Sequence, residues 1–349
     1  MSTFISEEDV EQYALDVLTG LGYERAHGPD ISEGGLHPER KYDEVVLLER
    51  LRRAIDRLNP EVPAGAKEEA IKKVLRVKSY SQNLIENNHA FHKMLVDGVD
   101  VEYRKDGRIV GDKVWLFDFS DDGIDNNEFL AVNQFTVIEN NNNRRPDMVL
   151  FVNGLPLVVI ELKNPADEEA TIWKAYEQFQ TYMQEISSLF AYNEVLVISD
   201  GTEARAGTIT SDKQRFMPWK TIDGEEVPIV MPQIEALLKG ICKKERLLDL
   251  IRHFIVLEQE KTLRKIMAAY HQYHAVNKAL ESTLQARRKD GRAGIVWHTQ
   301  GSGKSLIMAF YTGKLVLKPE MENPTIVVLT DRNDLDDQLF DTFSKCHEI

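Results

Sequence analysis

Residues 144–165, RRPDMVLFVNGLPLVVIELKNP, carry the pattern from which the fold is read. Two apolar runs flank Asn153-Gly154, a dipeptide that favours the tight turn of a β-hairpin. Asp147 opens the first run, and Glu161 and Lys163 close the second. Side chains alternate across a strand, so Glu161 and Lys163 leave the same face. Register then decides whether Asp147 joins them. A plain two-residue loop sets Asp147 opposite Ile160, on the wrong face for Glu161. A three-residue loop, or a bulge near Pro156, sets Asp147 directly opposite Glu161, and that irregularity is expected here. Two carboxylates and a lysine at one sheet end have a clear chemical use. Asp147 and Glu161 suit one or two Mg²⁺ ions that position water and offset charge on a phosphodiester. Lys163 suits orienting or deprotonating that water and stabilising the negative charge that develops.

Outward from this hairpin, the N-terminal side is helical. Residues 6–21 show Val10, Ala14, Val17 and Leu21 at helical spacing behind Ser6, which suits an N-cap. Further helices are expected at Asp43–Leu58 and Ala66–Lys78. Strand patterning runs through VWLFDF (114–119), FLAVNQFTVIE (129–139), MVLFV (148–152) and LPLVVIELK (155–163), with a solvated acidic turn at Asp121–Asn127. A helix over Glu168–Leu189 and a buried strand over Glu194–Ile198 follow. Helical patterning returns near Pro232 and continues with breaks to about Leu284. Then comes strand, loop, helix, strand: GIVWH (294–298), TQGSG (299–303), KSLIMAFYTGKLV (304–316) and TIVVLT (325–330), the alternation of a parallel α/β sheet. The natural division lies within 230–260.

At 349 residues the chain has room for about two domains. Its net charge of −14 argues against coating nucleic acid through an overall positive field, but leaves room for a local basic groove. No apolar run approaches the ~20 residues of a membrane helix, and MSTFISEEDVEQY has neither the basic start nor the apolar core of a signal peptide. Cys242 and Cys346, far apart and without nearby histidines at metal spacing, read as two reduced thiols of a cytoplasmic protein.

The segment VWHTQGSGKSL (296–306) has the form of a phosphate loop. A strand feeds a turn in which Gly301 and Gly303 let backbone N–H groups, Ser302 among them, approach phosphates at a helix N-terminus. Lys304 is placed to reach the β- and γ-phosphates of ATP, and Ser305 to ligate Mg²⁺. His298 stands where the general motif has its first glycine.

Pro146-Asp147, followed after thirteen residues by Glu161-Leu162-Lys163, resembles the PD-(D/E)XK nuclease signature. Gln178 and Tyr182 on the next helix resemble the Gln-x-x-x-Tyr element of its RecB-like branch, which implies bracing of the lysine or of a DNA phosphate. That family adds an acidic first-helix residue as a metal ligand; Glu11 is the candidate, with Glu7, Glu8 and Asp9 competing. The phosphate loop resembles that of superfamily 2 helicases, which tolerate the missing first glycine. Gln272, within YHQYHA (270–275), resembles their adenine-reading Q-motif, and Thr330-Asp331-Arg332 with Asp334–Gln338 resembles motif Ia.

Nuclease first and motor second resembles the restriction (R) subunit of Type I restriction–modification enzymes, over essentially the whole chain but only the front part of such a subunit. The resemblance implies an α/β architecture: an α+β nuclease domain with a central mixed sheet over 1–240, then the start of a RecA-like parallel α/β motor lobe over 241–349. It implies Mg²⁺-dependent cutting of double-stranded DNA coupled to ATP-driven translocation, and assembly with modification (methyltransferase) and specificity subunits. No strand ending in Asp-Glu follows the phosphate loop, so this polypeptide alone is expected to bind ATP poorly. Two rivals stand beside it. One is an inactive nuclease fold that docks DNA or partner subunits, against which the intact Asp/Glu/Lys set counts. The other is a Type III-like or repair nuclease–motor enzyme, in which the nuclease generally follows the motor.

Overall fold

The computed structural model describes residues 6–164, 171–224, 230–259, 261–329 and Phe343. Apolar runs with no polar alternation must be covered on both faces, and these form the middle of a six-stranded sheet. Its strands are β1 (Glu24–His27), β2 (Phe129–Asn133), β3 (Met148–Val152), β4 (Leu155–Leu162), β5 (Val195–Ser199) and β6 (Ala204–Gly207), lying side by side in that order. β1 and β2 are parallel, β2, β3 and β4 form an antiparallel meander, β4 and β5 are parallel, and β6 returns antiparallel. Every residue of β3, β4 and β5 is buried.

Helix α1 (Glu7–Gly20) packs on the β1, β2 and β4 side of the sheet. Its start is fixed by a capping box, in which Asp9 N–H donates to Ser6 Oγ at 3.2 Å and Ser6 N–H donates to Asp9 Oδ2 at 3.0 Å. Val10, Ala14, Leu15 and Leu18 form its buried face. Helix α2 (Ile172–Glu185) lies on β4 and β5 and makes the crossover between these two parallel strands.

The β3–β4 hairpin carries the expected irregularity. Val152 pairs with Leu155 and Phe151 with Pro156, but Leu150 pairs with Val158, leaving Leu157 as the extra residue. Met148 pairs with Ile160, so the register brings Asp147 opposite Glu161. At the turn, Asn153 and Gly154 take φ values of 51° and 79°. A Cβ on Gly154 would stand 2.5 Å from the Leu47 carbonyl oxygen, whose own N–H donates to Gly154 O at 2.9 Å. Only glycine fits there.

Beyond the sheet come α3 (Gln233–Ile241), which packs against α1 and β6, and α4 (Lys244–His253). The antiparallel hairpin β7 (Ile255–Gln259) and β8 (Leu263–Met267) then precedes α5 (Tyr270–Arg287). This hairpin is tied to residues beside the six-stranded sheet by a fully buried cation. Lys265 Nζ lies 2.6 Å from Glu194 Oε2 and donates to Asn88 Oδ1 at 2.8 Å and Asn193 O at 3.0 Å; Glu194 Oε2 also meets His92 Nδ1 at 2.8 Å.

Several expectations need correction. VWLFDF is not a strand: only Val114 ends a strand (Arg108–Val114), and Leu116 and Phe117 are buried without a ladder. FLAVNQFTVIE breaks at Gln134, whose φ is 54°. The helix expected from Asp43 begins at Leu48, and the one expected over 168–189 is divided into α2 and Ser187–Phe190. The helical patterning after 232 contains the β7–β8 hairpin, because a short apolar run such as Ile255–Leu257 has no distinguishing period. Residues 294–298 and 325–329 form no strands, and Ile295 and Leu329 are 96% and 90% exposed. A parallel strand is stabilised by the ladders of neighbouring strands, and among the described residues no strand pairs with either segment, so no RecA-like sheet is formed among them. Thr330, Asp331, Arg332 and Asp334–Gln338 lie outside the described residues.

Candidate active site

Strands β3 and β4 deliver their polar ends to one place. Asp147 and Glu161 are 8% and 1% exposed. Asp147 Oδ2 accepts the Leu162 N–H at 2.7 Å, which ties the end of one strand to the next. Lys163 Nζ donates to Glu161 Oε1 at 3.0 Å and to Leu162 O at 2.8 Å. Glu161 Oε2 is buried with no hydrogen-bond partner.

Burial is the main cause of the site's electrostatics. It lifts the Asp147 carboxyl to about 6, opposed by the Leu162 N–H and the Lys163 ammonium and reinforced by Glu7 and Glu11. Burial, then the neighbouring Asp147, pushes Glu161 well above the carboxylate range, with Lys163 opposing. Two desolvated carboxyls, one with an orphaned acceptor, fit a hard divalent cation that would relieve both penalties.

Gln178 and Tyr182 sit one turn apart on α2 and bond to each other, and the Tyr182 hydroxyl reaches Arg145 O at 3.5 Å. Burial and then the Glu161 charge raise the Tyr182 pKa, so the ring stays a neutral donor beside the carboxylates. Glu11 is turned to the same end of the sheet but is held by Asn133, at 2.8 Å, and by Gln134. Among the described residues, no three acidic, histidine or cysteine side chains are grouped to hold a metal, so Glu11 does not close a ligand set with Asp147 and Glu161. Glu7, one turn earlier, acts electrostatically on both of those carboxyls. Asn133 and Gln134 escaped the sequence analysis. Their signal is a polar pair interrupting an apolar run.

The second cluster surrounds α6 (Lys304–Val316), whose N-cap is Gly303 at φ 74°, with Gly301 at 81°. Lys304 Nζ donates to the His298 and Thr299 carbonyls, each at 3.2 Å, and so spans the loop's own backbone. Gln272 fixes its amide at both ends. Its Oε1 accepts the Ala269 N–H at 2.9 Å, and its Nε2 donates to Ser302 O at 3.2 Å and Gly303 O at 3.4 Å. His271 also approaches Ser302 O, at 3.3 Å. Gln272 thus supports the loop backbone. Ser302 Oγ is buried without a partner, and Ser305 stands in the first turn of α6.

A mixed six-stranded sheet covered by helices, with two carboxylates and a lysine at the ends of adjacent strands, is that of an α/β nuclease-like domain. Residues 4–215 match the family described as Type I restriction enzyme R protein N terminus, and the chain belongs to that family. Residues 271–349 match the family described as SWI2/SNF2 ATPase. The chain is 46% identical over 355 residues to the Type I restriction enzyme HindI endonuclease subunit of Haemophilus influenzae, covering 99% of this chain and 33% of that protein. It is 34% identical over 360 residues to the putative Type I restriction enzyme MjaIXP endonuclease subunit of Methanocaldococcus jannaschii, covering 96% and 34% respectively. A Staphylococcus aureus endonuclease subunit, SauCOLORF180P, matches at 29% over 223 residues. The chain thus spans about a third of the length of the first two relatives. No helix among the described residues is long and apolar enough to cross a membrane.

Proposed function

We propose that this chain forms the cutting part of a Type I restriction subunit and hydrolyses phosphodiester bonds of double-stranded DNA with Mg²⁺. The observation that supports this best is the convergence of Asp147, Glu161 and Lys163 around the unpartnered Glu161 Oε2. Asp147 and Glu161 would hold the ion. Bound there, a divalent cation supplies the charge that offsets a phosphodiester in transition and polarises water. The Lys163 ammonium, held against Glu161, orients the attacking water and stabilises negative charge on the phosphate oxygens. Tyr182 and Gln178 brace the Arg145 carbonyl, and through it the approach to Asp147. Glu7 and Glu11 add negative charge beside Asp147, and Glu7 beside Glu161 as well.

The nucleotide part is proposed on the same terms. Gly301, Ser302, Gly303, Lys304 and Ser305 would receive the phosphates and Mg²⁺ of ATP, with Gln272 holding the loop, and the whole subunit would couple ATP use to DNA translocation. DNA and the modification and specificity subunits are its proposed partners. The division near residue 240 separates the two working units, with β7–β8 attached to the first.

Supercoiled plasmid tests the proposal. The chain should nick it with Mg²⁺ and not with EDTA. Asp147→Ala and Lys163→Ala should each lower the rate by at least about 10²-fold while leaving the far-ultraviolet circular dichroism unchanged. Unaltered nicking in Lys163→Ala would falsify the assignment.

A further inference from the structure

A cleft of about 610 Å³ opens between residues 119–124, α4 and the C-terminal end of α6, and none of the active-site or phosphate-loop residues lines it. Its volume is that of a small-molecule site. Five of its lining side chains are cationic and three acidic, in a chain whose net charge is −14. One acid is already used, since Lys314 is paired with Asp249 and also donates to Asn277 Oδ1 at 2.7 Å.

Arg252 is the decisive residue. It is half-buried, and its guanidinium lies 5.2 Å from the Phe119 ring centroid. Among the described residues, every other buried or half-buried arginine donates to a carbonyl or carboxylate. Arg50 has Glu39 and Glu128, and Arg246 has Asp223 and the Lys239 and Gly240 carbonyls. Arg40 donates to Glu44, Thr136 and Tyr42 carbonyls. Among the described residues, Arg252 has no hydrogen-bonded acceptor. A ring face attracts the charge but satisfies none of its N–H donors. Partial desolvation without an acceptor is costly, and burial lowers its pKa, opposed only by the charge of nearby Asp249, which is itself paired with Lys314. Lys243, ahead of α4, and Lys318, just beyond α6, line the same cleft with no ion-pair partner among the described residues.

We propose that this cleft binds a phosphate group, with the planar Arg252 fork taking two of its oxygens and Lys243 and Lys318 flanking it. Lys243 and Arg252 from the two ends of α4 and Lys318 from beyond α6 line one nucleotide-sized space, which suits a multiply charged anion, and a guanidinium fork matches phosphate geometry. The ligand would touch both the nuclease-side segment and the far end of the phosphate-loop helix, and so would bridge the two parts of the chain.

The test is equilibrium binding to the 349-residue chain carrying Lys304→Ala, which removes the phosphate loop's contribution, in EDTA to prevent cutting. The probes are inorganic triphosphate, followed by calorimetry, and a short fluorescent DNA duplex, followed by anisotropy. Arg252→Gln should weaken binding on the order of tenfold, and Lys318→Gln or the exposed Lys243→Glu severalfold. Loss of affinity for triphosphate assigns a free phosphoryl ligand; loss confined to the duplex assigns a backbone phosphate. If neither probe binds, or if both bind with unchanged affinity in folded Arg252→Gln and Lys243→Glu, the site does not exist. Plasmid nicking is not read, so this outcome is independent of the cutting proposal.

Discussion

The role proposed for Asp147 would set chemistry against stability in one side chain. Its carboxyl titrates near 6 in the fold against an ordinary 3.8, chiefly through burial. A folded-state pKa above the unfolded value means that the group's stability is present below about 3.8 and is lost as pH rises through about 6. Above that the ionised group is a liability in the metal-free chain. Asp147→Asn keeps an oxygen for the Leu162 N–H and removes the charge. It should therefore raise metal-free stability at pH 7.5 by about 1–3 kcal/mol, with little change at pH 4, while abolishing nicking. Urea melts at the two pH values check this, and an equal or lower midpoint at pH 7.5 contradicts it. The residues most legible in the sequence were Asp147, Glu161 and Lys163, because strand alternation and the bulge fix their faces from local spacing alone. Glu11 and Gln272 were less legible. Spacing put each near the right place, but what each one touches comes from segments about 120 and 30 residues away, at Asn133, Gln134 and Ser302.

At the scale of elements, continuous burial and turn chemistry were the readable signals. β3, β4, β5, α1 and the bulge follow from them. The segments that miss their expected form do so for want of neighbours or of period: residues 294–298 have no ladder, and β7–β8 lies inside a stretch whose apolar positions also suit a helix. The tight β3–β4 turn gives the sharpest prediction. Gly154→Ala adds a Cβ 2.5 Å from the Leu47 oxygen at a φ of 79°. It should cost about 1–3 kcal/mol or more, read as a lower urea midpoint, and lower nicking in step with the displaced hairpin. A variant as stable as the parent would show that the Leu47 segment moves freely, contrary to the bond between Leu47 and Gly154.

For the whole molecule, the buried Lys265–Glu194–His92 group joins parts that sequence similarity treats separately, since the two family matches end at 215 and begin at 271. Removing one charge strands the others. Lys265→Met should destabilise the chain by about 3–5 kcal/mol, and adding Glu194→Gln should restore part of it, a coupling that a double-mutant cycle measures. Strict additivity would mean that the two side chains do not interact. Nothing in residues 255–267 advertises this role, because a lysine beside an arginine in a short strand reads as a surface position until its partners are known. The attachment also decides where the polypeptide can be trimmed. A version stopped at residue 215 would leave Glu194 beside a hollow and the Thr208 hydroxyl without the Lys265 carbonyl it now reaches at 2.6 Å. A shortened polypeptide that keeps this group whole therefore has to run to Met267, well past the point where family likeness would suggest placing the scissors.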